Sequence, residues 1–145
     1  MIDRLSHVAI AVPDLEEAIS RFGEAYGIAP GDVHTNTQQQ VRLVYFDLGN
    51  CKIELLAPAG PSSPLNRFLR RNPKGGLHHL CFVTVDLEKS LRRILENEGV
   101  VIRPREGQVN HSGVPIAFIH PDTAGNTLVE LEGLEKKLDG SHHGS

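Results

Sequence analysis

Apolar residues recur along the chain in two rhythms, and each rhythm predicts one kind of element. Leu5, Val8, Ile10 and Val12 crowd into residues 5–12, a run rich in Val, Ile and Ala that closes at Pro13. A short apolar run ending before proline predicts a buried strand. From Leu15 the spacing changes: Leu15, Ala18, Ile19, Phe22 and Tyr26 fall on one face of a helix. Asp14 stands at its N-cap, Glu16 and Glu17 occupy the first turn where the dipole favours negative charge, and Gly27 stops it. Residues 32–40 are polar, with a weak strand inside them. Residues 41–48 and 52–57 then read as two strands joined by a tight turn at Gly49 and Asn50. The order is β-α-β-β-β.

Residues 58–64, rich in Pro, Gly and Ser, read as a linker, and a short helix carrying Leu65, Phe68 and Leu69 follows. The first order then repeats: a strand over 77–85, a helix over 87–98 stopped by Gly99, a short strand within 100–103, and a last pair at 115–120 and 127–132. Pro121 and Gly125 mark the turn between that pair. The repeat is visible residue by residue. The 72 positions that separate His7 from His79 also separate Asp14 from Asp86, Leu15 from Leu87, Glu16 from Glu88 and Gly27 from Gly99. A fixed internal offset marks a duplicated supersecondary unit. The pattern predicts an α+β fold of two tandem βαβββ modules, at 1–58 and 75–134. A linker with a short helix at 59–74 joins them, and a flexible polar tail at 135–145 follows, its histidines not read as ligands.

A chain of 145 residues suits one compact domain or two small halves sharing a core. A net charge of −3 gives no general attraction to nucleic acid or to an anionic membrane, so neither is expected as a partner. No apolar run approaches the length of a membrane span, and Met1-Ile2-Asp3-Arg4 leads into a strand rather than a signal peptide; a cytoplasmic location is expected. Cys51 and Cys81 both lie in strand-like apolar stretches, where free thiols are expected rather than a disulfide. Arg67, Arg70, Arg71 and Lys74 cluster on the short helix and read as a solvated face.

The candidate chemistry follows from the duplication. His7 and His79 open equivalent strands, and each module ends in a strand with one carboxylate among aliphatic residues, Ile53-Glu54-Leu55 and Val129-Glu130-Leu131. Neighbours in a strand alternate faces, so such a Glu points either to solvent or inward at something that needs charge. Recurrence with a His in both modules favours the inward reading. Two imidazoles and two carboxylates, one of each per module, converge if the modules pack face to face. That N₂O₂ set suits a divalent ion, Zn, Ni, Co, Mn or Fe, with room for water or substrate. His78 competes with His79 as the ligand, but the repeat places His79 opposite His7 and turns His78 to the other face. His34, His111 and His120 have no counterpart in the repeat and read as loop or strand-end residues, His111 or His120 rimming the pocket.

The segments 7–16, 48–58, 75–82 and 118–131, with their double His after Gly-Gly-Leu, Glu-Leu-Leu-x-Pro and Phe-Ile-His-Pro, resemble the vicinal oxygen chelate superfamily of glyoxalases, bleomycin resistance proteins and dioxygenases. Within it they most resemble the methylmalonyl-CoA epimerases, over residues 3–133. The resemblance implies a cupped mixed sheet around a metal ion held by His7, Glu54, His79 and Glu130. It also implies a homodimer and epimerisation of an acyl-CoA through α-proton abstraction, with the metal as Lewis acid and Glu130, then Glu54, as acid/base groups. Some of these epimerases carry another Glu in the strand where this chain has Leu43, so a two-base scheme here draws on Glu54. Val109-Asn110-His111-Ser112-Gly113 and Gly125-Asn126-Thr127 also depart from the epimerase pattern, in regions expected near the substrate. The rival readings on the same scaffold are a glyoxalase I-like lyase, with the same ligand pattern, and a metal-free module that binds a small molecule.

Overall fold

The computed structural model describes residues 1–102 and 108–134. The chain runs through β1 (Ile2–Ala11), α1 (Leu15–Tyr26), β2 (His34–Asn36), β3 (Val41–Asp47) and β4 (Lys52–Pro58), and then α2 (Leu65–Arg71). The second half repeats the first as β5 (Gly76–Thr84), α3 (Leu87–Glu96), β6 (Val101–Ile102), β7 (Ile116–Ile119) and β8 (Val129–Glu132), with a 3₁₀ turn at Pro121–Thr123. All eight strands form one sheet in the order β2-β3-β4-β1-β5-β8-β7-β6. Within each half the first strand lies parallel to the last, β1 with β4 and β5 with β8; the halves join where β1 and β5 pair antiparallel. The result is the α+β mixed sheet of two βαβββ modules that the repeat predicts.

Strand alternation assigns each side chain to one of two layers. Ile10, Val12, Val44, Phe46, Leu55 and Ala57 face the apolar stripe of α1, where Leu15, Ala18, Ile19 and Phe22 cover them. Ala9, Ala11, Val41, Leu43 and Leu56 face the other way, against Leu65 of α2. Glu54 shares this second face with Leu56. The helices start as their sequences dictate: the Asp14 carboxylate accepts the Glu17 backbone N–H at 3.1 Å, and Asp86 accepts that of Lys89 at 3.0 Å. The described residues include no helix long and apolar enough to cross a membrane. Both thiols are free.

Two equivalent glycines turn out to serve different ends. Gly27 closes α1 in the left-handed conformation at φ 65°. α3 ends two residues before the expected limit; Asn97 caps it, Glu98 takes the left-handed turn at φ 63°, and Gly99 N–H closes the end on the Ile94 carbonyl at 2.8 Å. Gly99 also lets the chain pass close to α3, since a Cβ there would lie 2.4 Å from Ile94 Cγ2. The expected strand end at Arg103 and the tail at 135–145 lie outside the described residues.

Gly75 sets the entry to β5. It adopts φ +84°, and a Cβ on it would meet the Ala11 carbonyl oxygen at 2.3 Å, so the junction between modules accepts no side chain there. Gly75→Ala is expected to destabilise the fold by about 1–3 kcal/mol. Gly133→Ala, where the nearest atom to a new Cβ is 3.7 Å away, should stay within about 0.5 kcal/mol of the parent. Denaturant unfolding of the two variants checks this, and equal midpoints would contradict it.

Candidate active site

Register brings the four predicted side chains together. Across the sheet, Glu54 pairs with Ala9 and Ala9 with His79; in the next row His7 pairs with Cys81 and Cys81 with Glu130. Each row therefore places a small residue, Ala9 or Cys81, between an imidazole and a carboxylate, and the longer side chains meet above it. His79 Nε2 lies 3.1 Å from Glu130 Oε1 and 3.8 Å from Glu54 Oε1, and His7 Nε2 lies 3.5 Å from each of the same two oxygens. All four residues are buried, none more than 7% exposed, so their charges must be answered within this group or by a ligand.

The two histidines reach this position by the same local device. The β1–β5 ladder slips three times, and two of the slips make Ser6 an extra residue before His7 on β1 and His78 an extra residue before His79 on β5. Each extra residue forms a β-bulge that re-aims its side chain. Ser6 Oγ lies 3.0 Å from His7 Nδ1, and His78 Nδ1 lies 2.8 Å from His79 Nδ1. This corrects the strict-alternation expectation for His78: it does not turn away but lines the same cavity as His79. Sequence reasoning missed Ser6 and His78 as a pair, although they occupy equivalent places in the repeat.

Electrostatics separates the two carboxylates. Burial would raise Glu130, but the neighbouring His7 and His79 imidazoles outweigh it and hold its carboxyl down to about 2. Burial wins at Glu54, which is raised above the usual carboxylate range despite His7 and His79. Two carboxyls of unlike proton affinity in one cavity are suited to acid–base chemistry. At His7 burial acts downward, yet the neighbouring Glu130 and Glu54 carry the imidazole above its ordinary value. Burial, followed by the His79 charge, pushes His78 down to about 4, so that ring is neutral.

The donor set fits a divalent ion. His7 Nε2 is buried and has no hydrogen-bond partner among the described residues, its carboxylate neighbours standing at the 3.5 Å limit. An orphaned nitrogen facing two carboxylate oxygens is costly unless something accepts its lone pair. One ligand atom from each of His7, Glu54 and His79 lies within 4.8 Å of the others, and the same holds for His7, Cys81 and Glu130. Cys81 was not foreseen here. It lies under the quartet because the register sets it beside both His7 and Glu130.

A cavity of about 270 Å³ opens from Glu54, His79 and Glu130. Leu43, Leu56, Leu65 and Phe118 make an apolar wall, and Gln39, Gln108, Asn110 and His111 a polar one. Leu43 thus faces the cavity where the epimerase pattern offers an acid, and Tyr45, beside Glu54 on β3, was also missed. His111 lines the cavity, as one of the two expected histidines, and His34 stacks on it at 4.6 Å. His120 instead accepts the Asp122 backbone N–H at 3.0 Å and caps the 3₁₀ turn. The hairpin before β3 reaches across to the late loop, with Gln38 Oε1 accepting from Val109 N at 3.2 Å and Asn36 Nδ2 donating to Val109 O at 3.4 Å. Asn110 and His111 of that loop therefore stand at the cavity as expected, whereas Gly125, Asn126 and Thr127 do not line it.

Known proteins share both sequence and architecture with the chain. The ethylmalonyl-CoA/methylmalonyl-CoA epimerase of Cereibacter sphaeroides is 40% identical over 132 residues, covering 91% of this chain and 98% of that protein. The mitochondrial methylmalonyl-CoA epimerase of Homo sapiens is 38% identical over 131 residues, 90% of this chain and 74% of that one. The crystal structure of methylmalonyl-CoA epimerase from Mycobacterium tuberculosis superimposes with a TM-score of 0.84 at 28% identity, covering 97% and 93% of the two chains. A methylmalonyl-CoA epimerase in complex with methylmalonyl-CoA and NH4+ gives 0.81 at 27% identity, covering 92% and 95%. The sequence pattern of one family runs through residues 6–132, both modules included, and with it the chain belongs to the Glyoxalase/Bleomycin resistance protein/Dioxygenase superfamily.

Proposed function

We propose that the protein is a metal-dependent epimerase of a 2-alkylmalonyl-CoA, interconverting (R)- and (S)-methylmalonyl-CoA. The observation that carries this reading is the buried quartet, with its unpartnered His7 Nε2, opening through Glu54, His79 and Glu130 onto a cavity with an apolar wall. The relatives named above, and Streptomyces coelicolor methylmalonyl-CoA epimerase variants in complex with 2-nitronate-propionyl-CoA at TM-scores of 0.81 to 0.83, support the substrate class.

His7, Glu54, His79 and Glu130 would hold the ion. A divalent cation bound there supplies a Lewis acid for the negative charge that develops on the thioester oxygen when the α-proton leaves. The chain's own residues do the rest. Inversion requires that a proton leave one face of the α-carbon and return to the other, and the two carboxylates approach from different modules, Glu54 on β4 and Glu130 on β8. Glu130 is the first group to take up the α-proton and Glu54 the second acid/base group, each released from the ion while it carries a proton. Leu43, Leu56 and Leu65 exclude water from the alkyl substituent, and the Gln39 and Gln108 amides face the polar end of the substrate.

Incubation with (S)-methylmalonyl-CoA in deuterated water should show exchange of the α-proton; no exchange, with turnover of the methylglyoxal–glutathione adduct instead, would assign the chain to the lyases. Stripping metal with a chelator should abolish that exchange, and adding back Co²⁺ or Mn²⁺ should restore it. Glu130→Gln is expected to lower kcat by about 10²–10⁴-fold while retaining part of the metal. Unchanged turnover would remove Glu130 from the acid/base scheme.

A further inference from the structure

We propose that Ser6 and His78 are paired positioning residues, each the extra residue of a β-bulge and each fixing the ring plane and tautomer of the imidazole that follows it. The inference rests on the metal reading of the quartet. In an unbroken ladder, residues 6 and 78 would face away from residues 7 and 79. The register slips at these two residues instead bring Ser6 Oγ to 3.0 Å from His7 Nδ1 and His78 Nδ1 to 2.8 Å from His79 Nδ1.

The His78–His79 contact has only one consistent proton arrangement once His79 binds an ion. Two ring nitrogens at hydrogen-bond distance need one N–H and one lone pair. His79 Nε2 points at the quartet and must offer its lone pair there, so its Nδ1 carries the proton and donates to His78 Nδ1. The His78 ring is held in place for this: it stands nearly perpendicular to His79, at 78°, and edge-on to Phe68 of α2 with ring centroids 5.0 Å apart. Ser6 serves His7 in the same way, its hydroxyl oxygen accepting from Nδ1–H. The opposite tautomer would point an N–H at the ion's position and exclude it. The device recurs at the same place in both modules, although one partner is a hydroxyl and the other an imidazole.

The test uses the full chain, stripped of metal and titrated with Zn²⁺ by calorimetry. His78→Leu and Ser6→Ala should each weaken Zn²⁺ binding by roughly 10–100-fold. His78→Asn, whose Oδ1 can accept where Nδ1 did, should recover most of the loss. Nitrogen-15 NMR of the zinc-loaded wild type should show His7 and His79 bound through Nε2 with protonated Nδ1. Ligation through Nδ1 would overturn the proposal without recourse to any variant. Wild-type affinity in both His78→Leu and Ser6→Ala, or no recovery in His78→Asn, would overturn it while leaving the metal reading intact. A wild type that takes up no divalent ion would overturn both together.

Discussion

The pairing of β1 with β5 is the constraint on which the rest of the structure depends. It is the seam where two β-α-β-β-β units become one sheet, and both histidines of the quartet lie on it. A ladder without interruption would alternate side chains strictly between the α1 layer and the cavity. The slips at Ser6 and His78 break that rule in the two places where a polar neighbour is needed beside an imidazole. Gly75, at the mouth of the seam, keeps the backbone of β5 against Ala11 closely enough for the register to hold.

The two halves share the placement of a His and a Glu but not the neighbours of each. Ala9 sits between Glu54 and His79, whereas the bulkier Cys81 sits between His7 and Glu130. Tyr45 flanks Glu54 where Phe118 flanks Glu130. Glu130 also lies closer to His79 than Glu54 does, at 3.1 Å against 3.8 Å. Burial raises both carboxyls; it wins at Glu54, even though Tyr45 acts to lower that group, whereas His7 and His79 outweigh it at Glu130. Duplication thus supplies the four positions, and the balance of burial against the two imidazoles gives the two acids different characters.

Much of this is legible in the sequence because duplication acts as an internal control. Strand–helix order, both Asp N-caps and the inward turn of Glu54 and Glu130 all follow from periodicity read twice. What escapes depends on pairing rather than on pattern. The facing of His78 cannot be read from alternation, since a bulge is a property of two strands in register and not of one. Tyr45 and Cys81 are ordinary core residues by composition; only cross-strand register sets them beside the quartet. Gly99 shows the same limit, because a glycine after a helix signals equally a left-handed cap and a close backbone approach, and here it is the second.

The division of the quartet across the seam has a thermodynamic consequence. His7 and Glu54 come from the first module and His79 and Glu130 from the second, so neither half holds more than two of the four donors. Any ion gathered by all four is bound only by the assembled sheet, and its binding free energy adds directly to the free energy that keeps the modules joined. At a hundredfold excess over its dissociation constant that linkage amounts to about 2.7 kcal/mol, a sizeable share of the stability of a domain this small. Uptake of such an ion and docking of the two modules would be, on this fold, one equilibrium observed from two sides.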